Sequence, residues 1–408
     1  MLTSDQKQQL NDILEELGSS LDITRTEHET IGESYKAVAN WLANPDSNLQ
    51  SYDPQILPQG SFMLGTMVRP VSDEDDLDID LVCQLKRKPA SWTQYNLKQT
   101  VGDRIRANET YAQMLDEEGR RCWTLKYAQQ KYHMDILPSF VSEGYSVLLE
   151  KAFSNIEQKE VDDLAIRITD KTLPNYRTDP NMDNWHKSNP FGYAKWFFDI
   201  ATRPVELRKA FSLSESIKPI PSFREQKLPL QRIVQLLKRH RDIIFDGDED
   251  KPISIIITTL ATRAYNDAPG TDVADTLRNI AFSLRSYIED RNGIKWVVNP
   301  VNNEENFADK WVEHPKRKDN FYKWLTQLQA DVENVHNTQE RGFSYLSESL
   351  KKSFGDSAVT KAFSKYGEKT RLLRESGGLK MAATTGALGL SGRTVVGGHN
   401  FFGTDIDE

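Results

Sequence analysis

Cysteine is scarce in this chain of 408 residues: it has two, Cys83 and Cys122. Two thiols cannot form the disulfide framework of a small secreted domain. Both sit in apolar, strand-like stretches and read as buried free thiols in a reducing cytoplasm. Long hydrophobic runs are missing too, and none approaches the roughly 20 residues that span a bilayer. The N-terminus, MLTSDQKQQLNDILEEL, is polar and acidic, unlike a signal peptide, so the expectation is a cytoplasmic protein without membrane attachment. The seven histidines are scattered, and no Cys/His spacing suggests zinc. Positive charge is not in excess: 52 Lys and Arg stand against 60 Asp and Glu, a net charge of -8. That argues against a surface devoted to nucleic acid, and activation by nucleic acid is not indicated. What remains is an ordinary globular composition, 38% hydrophobic and 27% charged, long enough for two or three domains.

Residues 3 to 44 read as helix. Ser4 is placed to cap the start, and Ile31, Tyr35, Val38 and Leu42 recur at helical spacing on one apolar face. From about 55 to 145 short β-like segments follow: DLDIDLVCQL, RCWTLKYA and KYHMDILPSF, with a polar, helix-compatible stretch at 94 to 117. SNPFGYAKWFFDIA begins another helix. Pro190 suits its first turn, Ser188 or Asn189 its cap, and Tyr193, Trp196, Phe197 and Ile200 give it an aromatic face. Beyond KPIPSFREQKLP the pattern is helical to about 374, interrupted at DGDEDKP, NDAPGTD and NPVNNEEN. The expectation is an α+β chain in three parts: 1 to 215, 216 to 375, and 376 to 408. The last part holds eight of the 22 glycines and no periodic core pattern, and reads as a flexible tail.

The stretch LPQGSFMLGTMVRPVSDEDDLDIDLVCQL, residues 57 to 85, carries the chemistry. Side chains alternate along a strand, so Asp76, Asp78 and Asp80 share one face and Leu77, Ile79 and Leu81 the other. The apolar set enters a core while the acids line a surface. Like charges on one face repel, and a cation is their natural partner. A salt bridge, or a solvated acidic face on a half-buried edge strand, also accounts for DLDID alone, and such alternation is common in antiparallel sheets. Two further features add to it. Gly60-Ser61 lies upstream, where a glycine lets backbone approach a ligand closely. In YHMDILPSF, Asp135 is a single carboxylate flanked by Met134 and Ile136, which take the opposite strand face.

The order Gly-Ser, Asp-apolar-Asp, then apolar-Asp-apolar on a later strand resembles the DNA polymerase β-like nucleotidyltransferase superfamily. The resemblance implies that Gly60, Ser61 and their backbone bind a triphosphate, and that Asp78, Asp80 and Asp135 hold two Mg²⁺ ions, with Mn²⁺ as a substitute. The long acidic spacer between Ser61 and Asp78 leaves Asp76 as a rival ligand.

The wording LPQGS…DLDIDLV, the N-terminal helices and the helical C-terminal half look like the cyclic oligonucleotide synthases of bacterial anti-phage operons. These are the CD-NTases, relatives of cyclic GMP-AMP synthase and oligoadenylate synthase. The resemblance covers about residues 1 to 375. It implies a polymerase β-like core, a helical C-terminal lobe like that of oligoadenylate synthase, and a central cleft. It implies synthesis of a cyclic di- or trinucleotide from ATP, GTP or other triphosphates with release of pyrophosphate. It also implies that Lys238, in LPLQRIVQLLKRHRD, and Ser254, in KPISIIITTLATRAY, contact the donor triphosphate. Read from the residues alone, Lys238 is a solvated lysine, although Val234, Arg241 and Phe245 share its helical stripe, and Ser254 is equally a helix cap after Pro252. Related animal enzymes place a base-stacking aromatic after this serine; here the residue is Ile255. Two other functions stay open: a nucleotidyltransferase acting on tRNA or protein, and a non-catalytic nucleotide-binding protein.

The tail places Val395, Val396, Phe401 and Phe402 among glycines. In some relatives an operon-encoded enzyme resembling ubiquitin-transfer enzymes captures the C-terminal tail. This sequence ends in TDIDE, so docking of such a partner, conjugation, and a plain solvated extension all remain.

Overall fold

The computed structural model describes residues 3–72, 75–141, 165–204, 223, 226–338, 341–381, 386, 388–389 and 393–397. The chain opens on two helices rather than one. Helix α1 (Ser4–Ser20) is capped by Thr3, whose hydroxyl accepts from the Gln6 N–H while the Gln6 side chain returns to the Thr3 backbone. The cap therefore lies one residue before Ser4. Thr24 and Glu27 repeat the reciprocal box at the start of α2 (Arg25–Leu42). A second capping box inside one helical pattern is what divides it. Ile31, Tyr35, Val38 and Leu42 are all buried on α2.

Six strands form the main sheet: β1 (Pro54–Pro58), β2 (Leu77–Leu85), β3 (Trp123–Tyr127), β4 (Tyr132–Val141), β5 (Ile166–Ile168) and β6 (His186–Ser188). Their order is β1-β2-β4-β5-β6, with β3 also on β4. A short helix, α3 (Gly60–Leu64), follows β1. The β2–β4 pair is parallel and the other pairs are antiparallel. A parallel pair needs a crossover, and here it carries α4 (Gln94–Arg106), capped by Thr93, and α5 (Glu109–Met114), capped by Asn108. Leu77, Ile79, Leu81, Cys83 and Leu85 of β2 share one core with Val38 and Leu42 of α2 and Leu97, Val101 and Ile105 of α4. At about 1.5–3 kcal/mol per buried aliphatic side chain, that face fixes the register of β2 and turns Asp78 and Asp80 the other way.

The helical half comprises α6 (Pro190–Ala201), α7 (Pro229–Phe245), α8 (Ser254–Asp267), α9 (Val273–Ser283), α10 (Pro315–Thr338), α11 (Phe343–Phe354) and α12 (Asp356–Glu375). Asn189, not Ser188, caps α6 by accepting from the Gly192 N–H. Leu230, Ile233, Val234, Leu236 and Leu237 of α7 join Leu10, Ile13, Leu14 and Leu17 of α1 in a second core. The N-terminal helix thus packs with the helical half. The boundary expected near residue 215 lies outside the described residues. A hairpin, β7 (Glu289–Arg291) with β8 (Ile294–Trp296), interrupts the segment read as helical. Asn292 and Gly293 turn it with φ of 55° and 81°, the Asn-Gly geometry of a tight hairpin.

Beyond α12, where a flexible tail is expected, Lys380–Met381, Leu388–Gly389 and Thr394–Val395 pair into a small sheet. Gly377, at φ 73°, turns the chain back, and the N–H groups of Gly378 and Leu379 reach the Leu373 carbonyl at 2.8 and 3.0 Å. Leu379 is 3% exposed and anchors the sheet. Phe401 and Phe402 lie outside the described residues. Among the described residues no helix is long and apolar enough to cross a membrane.

Candidate active site

Parallel strands in register point paired side chains to the same face. Asp80 of β2 is paired with Asp135 of β4, and Asp78 with His133, so these four groups stand together on one face. His133 Nε2 and Asp78 Oδ1 form a hydrogen-bonded ion pair, and that contact raises the imidazole pKa. On β3, Thr124 lies opposite Asp135 and donates its hydroxyl to Asp135 Oδ1. Of the two acids of β2, Asp80 is the more shielded from water, Asp78 being exposed. Burial first, then the charges of Asp78 and Asp135, push it up to about 6, against the pull of His133 and Lys238.

Gly60 abuts this carboxylate. The preceding Gln59 donates its N–H to the Asp80 carbonyl at 2.9 Å. Gly60 has φ of 62°, and a Cβ there would lie 2.2 Å from Asp80 Oδ2. Conformation and space both require glycine. Ser61 follows and lines a cleft of about 430 Å³.

Helix α7, with Lys227 just ahead of it, holds the loop that runs from Ser61 toward β2. Gln231 Nε2 donates to the Leu64 carbonyl at 2.8 Å, Lys227 Nζ to Gly65 at 2.8 Å, Gln235 Nε2 to Met67 at 2.7 Å and Arg239 Nη2 to Arg69 at 2.8 Å. Lys238 belongs to the same ladder, donating to the Thr66 carbonyl at 3.1 Å and its hydroxyl at 3.3 Å. The solvated reading of Lys238 therefore fails: the residue is 6% exposed. Burial, followed by the nearby Arg241 charge, pushes its ammonium down to about 7.

Ser254 opens α8 but does not cap it: Ile253 is the N-cap, and no side chain caps this helix. The Ser254 hydroxyl instead accepts from Arg241 Nη1 at 2.8 Å. The cleft is lined by Ser61, Asp76, Asp78, Lys238 and Ser254, together with Arg241. It thus gathers residues from the β1–α3 turn, β2, α7 and α8, and the rival acid Asp76 faces the same space. Ile255 packs against the hydrophobic core and offers no stacking ring.

Three features escaped sequence reasoning: His133, Thr124, and the cluster of Arg241, Asp242 and Lys251. His133 was within reach, because it stands two residues before Asp135 and shares its face. Thr124 requires the β3–β4 register, which the sequence does not print.

The donor set suits a hard divalent cation. Three carboxylates gather on two neighbouring strands, and their mutual repulsion helps to raise Asp80, a repulsion that Mg²⁺ with oxygen ligands relieves. As they stand, no three acidic, histidine or cysteine groups among the described residues close on one ion position. Asp78 is turned to His133, so its binding a cation means exchanging that partner, while Thr124 holds one oxygen of the Asp135 carboxylate.

Known proteins resemble this chain in sequence and in fold. Residues 9–151, which contain the Gly-Ser turn and all three aspartates, match the family described as the Second Messenger Oligonucleotide or Dinucleotide Synthetase domain. A c-di-GMP synthase of Roseivirga ehrenbergii is 29% identical over 383 residues, covering 92% of each chain. The Bradyrhizobium diazoefficiens CD-NTase CdnG, solved with GTP, has a TM-score of 0.64 at 21% identity, over 88% of this chain and 99% of that one. The Vibrio cholerae di-nucleotide cyclase DncV, solved as a mutant with ATP, GTP and 5MTHFGLU2, has a TM-score of 0.54 at 16% identity, over 89% and 93%. A synthetase-domain match that contains the acidic strands joins a fold shared along most of the chain, so the chain is similar to the bacterial CD-NTase CdnG and the di-nucleotide cyclase DncV.

Proposed function

We propose that this chain is a Mg²⁺-dependent nucleotidyltransferase that joins nucleoside triphosphates into a cyclic di- or trinucleotide and releases pyrophosphate, as a signal in bacterial anti-phage defence. One observation carries the reading: Asp80 and Asp135 stand in register beside Asp78, and Ser61, Lys238 and Ser254 face Asp78 across one cleft. The name of the Roseivirga relative makes GTP the first substrate to try.

Asp78, Asp80 and Asp135 would hold the ions, which when bound neutralise triphosphate charge and acidify an attacking hydroxyl. The chain's own groups do the placing. Lys238 spends two N–H bonds on Thr66 and keeps the third for a phosphate oxygen. Ser61 lines the same cleft, and the glycine before it lets the backbone come close. Thr124 holds the Asp135 carboxylate in place on its strand. Catalysis then rests on positioning and on fixed charge. Repeating the step on the linear intermediate closes the ring.

The test is incubation with radiolabelled ATP, GTP, CTP and UTP and Mg²⁺, with products resolved after phosphatase treatment. A phosphatase-resistant product is the expected result. A phosphatase-sensitive linear product would point to another nucleotidyltransferase, and binding without pyrophosphate release to a non-catalytic nucleotide-binding protein.

A further inference from the structure

We propose that Arg241 is a positioning residue that, by filling a lone pair of Ser254, commits the Ser254 hydroxyl to donating a hydrogen bond to an oxyanion of the bound nucleotide. The inference rests on the cleft being a triphosphate site.

Arg241 is 7% exposed, and its guanidinium is held on two sides. Nε and Nη2 meet the two carboxylate oxygens of Asp242 at 2.9 and 3.1 Å. Nη1 spans the Pro252 carbonyl at 3.1 Å and Ser254 Oγ at 2.8 Å. A guanidinium has donors and no acceptor, so the contact with Ser254 runs one way and the serine oxygen is the acceptor. The single O–H of Ser254 therefore cannot turn back toward Arg241. It does not cap its own helix, and no acceptor for it is present among the described residues. Ser254 lines the cleft, so its proton is available there.

A serine hydroxyl is otherwise ambivalent, able to accept from water or to donate. One whose acceptor side is filled by a buried cation favours a partner with lone pairs and negative charge, such as a phosphate oxygen. Asp242 balances the charge of Arg241, and Lys251 Nζ lies on the same carboxylate at 3.1 Å. Arg241 thus contributes direction more than net charge. It also stands three residues from Lys238, on the same stripe of α7. One helix sets two donors, the ammonium directly and the hydroxyl through Arg241.

The alternative is that Arg241, which also lines the cleft, touches the phosphate itself. A double-mutant cycle on the full-length chain separates the two. Binding of a non-hydrolysable GTP analogue is measured by calorimetry, with KM and kcat, for wild type, R241M, S254A and the double variant. R241M and S254A are each expected to weaken binding about tenfold. The double variant should be no weaker than either, with KM raised and kcat little changed. R241K, whose ammonium also donates without accepting, should recover part of the loss. If R241M does not fold, the same cycle is run with R241Q, whose amide carries no charge and can itself accept from the serine. Additive losses, or wild-type affinity in R241M, would overturn the inference and leave the functional reading intact. Failure of the wild-type chain to bind the analogue would overturn both.

Discussion

Gly60 and Asp80 occupy each other's space. A Cβ on Gly60 would lie 2.2 Å from Asp80 Oδ2 and 3.1 Å from its Cγ, and the Gln59 N–H already holds the Asp80 carbonyl at 2.9 Å. The turn after β1 and the acid on β2 are therefore one unit. The backbone that leads to Ser61 is placed by the same strand that carries the carboxylates.

Gly60→Ala tests that unit. The methyl must displace Asp80, and φ of 62° adds roughly 1–2 kcal/mol of strain for a residue with a side chain. The expected outcome is a folded protein, a few degrees lower in Tm, with synthesis reduced by about 100-fold or more, the scale of a 1 Å misplacement at a reacting centre. Product chromatography beside a calorimetric melt checks it. Wild-type turnover would show that the contact does not position Asp80.

Asp78→Asn with Asp80→Asn should abolish synthesis and leave the fold intact or firmer. The sign follows from Asp80, whose folded value of about 6 lies above the ordinary 3.8. A group raised in this way contributes stability below pH 3.8, and that contribution is lost as pH rises through 6. At neutral pH the ionised carboxylate is thus a liability, which asparagine removes. Product assays with saturating Mg²⁺ and melts at pH 7.5 are the measurements. Full activity in the double variant would remove the metal assignment.

The acidic strand was legible because period-2 alternation separates Leu77, Ile79 and Leu81 from Asp78 and Asp80 by physics that needs no partner strand. Asp135 was found by the same rule, and its registry with Asp80 came only from the fold. Local signals failed where a neighbour several residues away decided the outcome. Ser4 is a good cap residue, but Thr3 has Gln6 three residues on and forms the reciprocal box. Ser254 is a good cap residue two positions after Pro252, yet Arg241, from another helix, takes its oxygen. Lys238 reads as solvated because nothing in its own helix shows that Thr66 will meet it. The glycine-rich end read as a flexible tail because its few apolar residues have no period, while one of them, Leu379, finds a buried place.

Lys238→Ala should weaken binding of a non-hydrolysable GTP analogue, seen as a higher KM, and should also change its pH dependence. The free ammonium titrates at about 7 instead of 10.5, so between those values the unfolded chain holds a proton that the folded chain lacks. This group's contribution to stability therefore rises with pH across that window. An arriving triphosphate favours the charged form, so binding takes up a proton, and affinity should fall as pH climbs above 7, by up to about tenfold per unit. Titrations from pH 7 to 9 should show that slope in wild type and not in Lys238→Ala, a comparison in which the nucleotide's own ionisation cancels. Equal slopes would remove Lys238 from the phosphate site.

Truncation after Glu375 separates the C-terminal segment from catalysis. None of the groups assigned to the cation or triphosphate lies beyond that residue: the last of them along the chain is Ser254. What the segment contributes is local. Leu379 is 3% exposed, its carbonyl accepts from the Val396 N–H at 2.9 Å, and its own N–H ends α12 on the Leu373 carbonyl at 3.0 Å. Losing one buried leucine removes about 1.5–3 kcal/mol of favourable burial, which in a chain of this size lowers Tm by a few degrees. Basal synthesis from saturating triphosphates should persist, with KM unchanged. A second truncation, after Val396, retains Leu379 and the three short strands, so it should restore the melt while leaving turnover where it was. If the first truncation eliminates turnover and the second returns it, the small sheet supports the catalytic fold. If both eliminate it, residues beyond Val396 belong to the enzyme's working core.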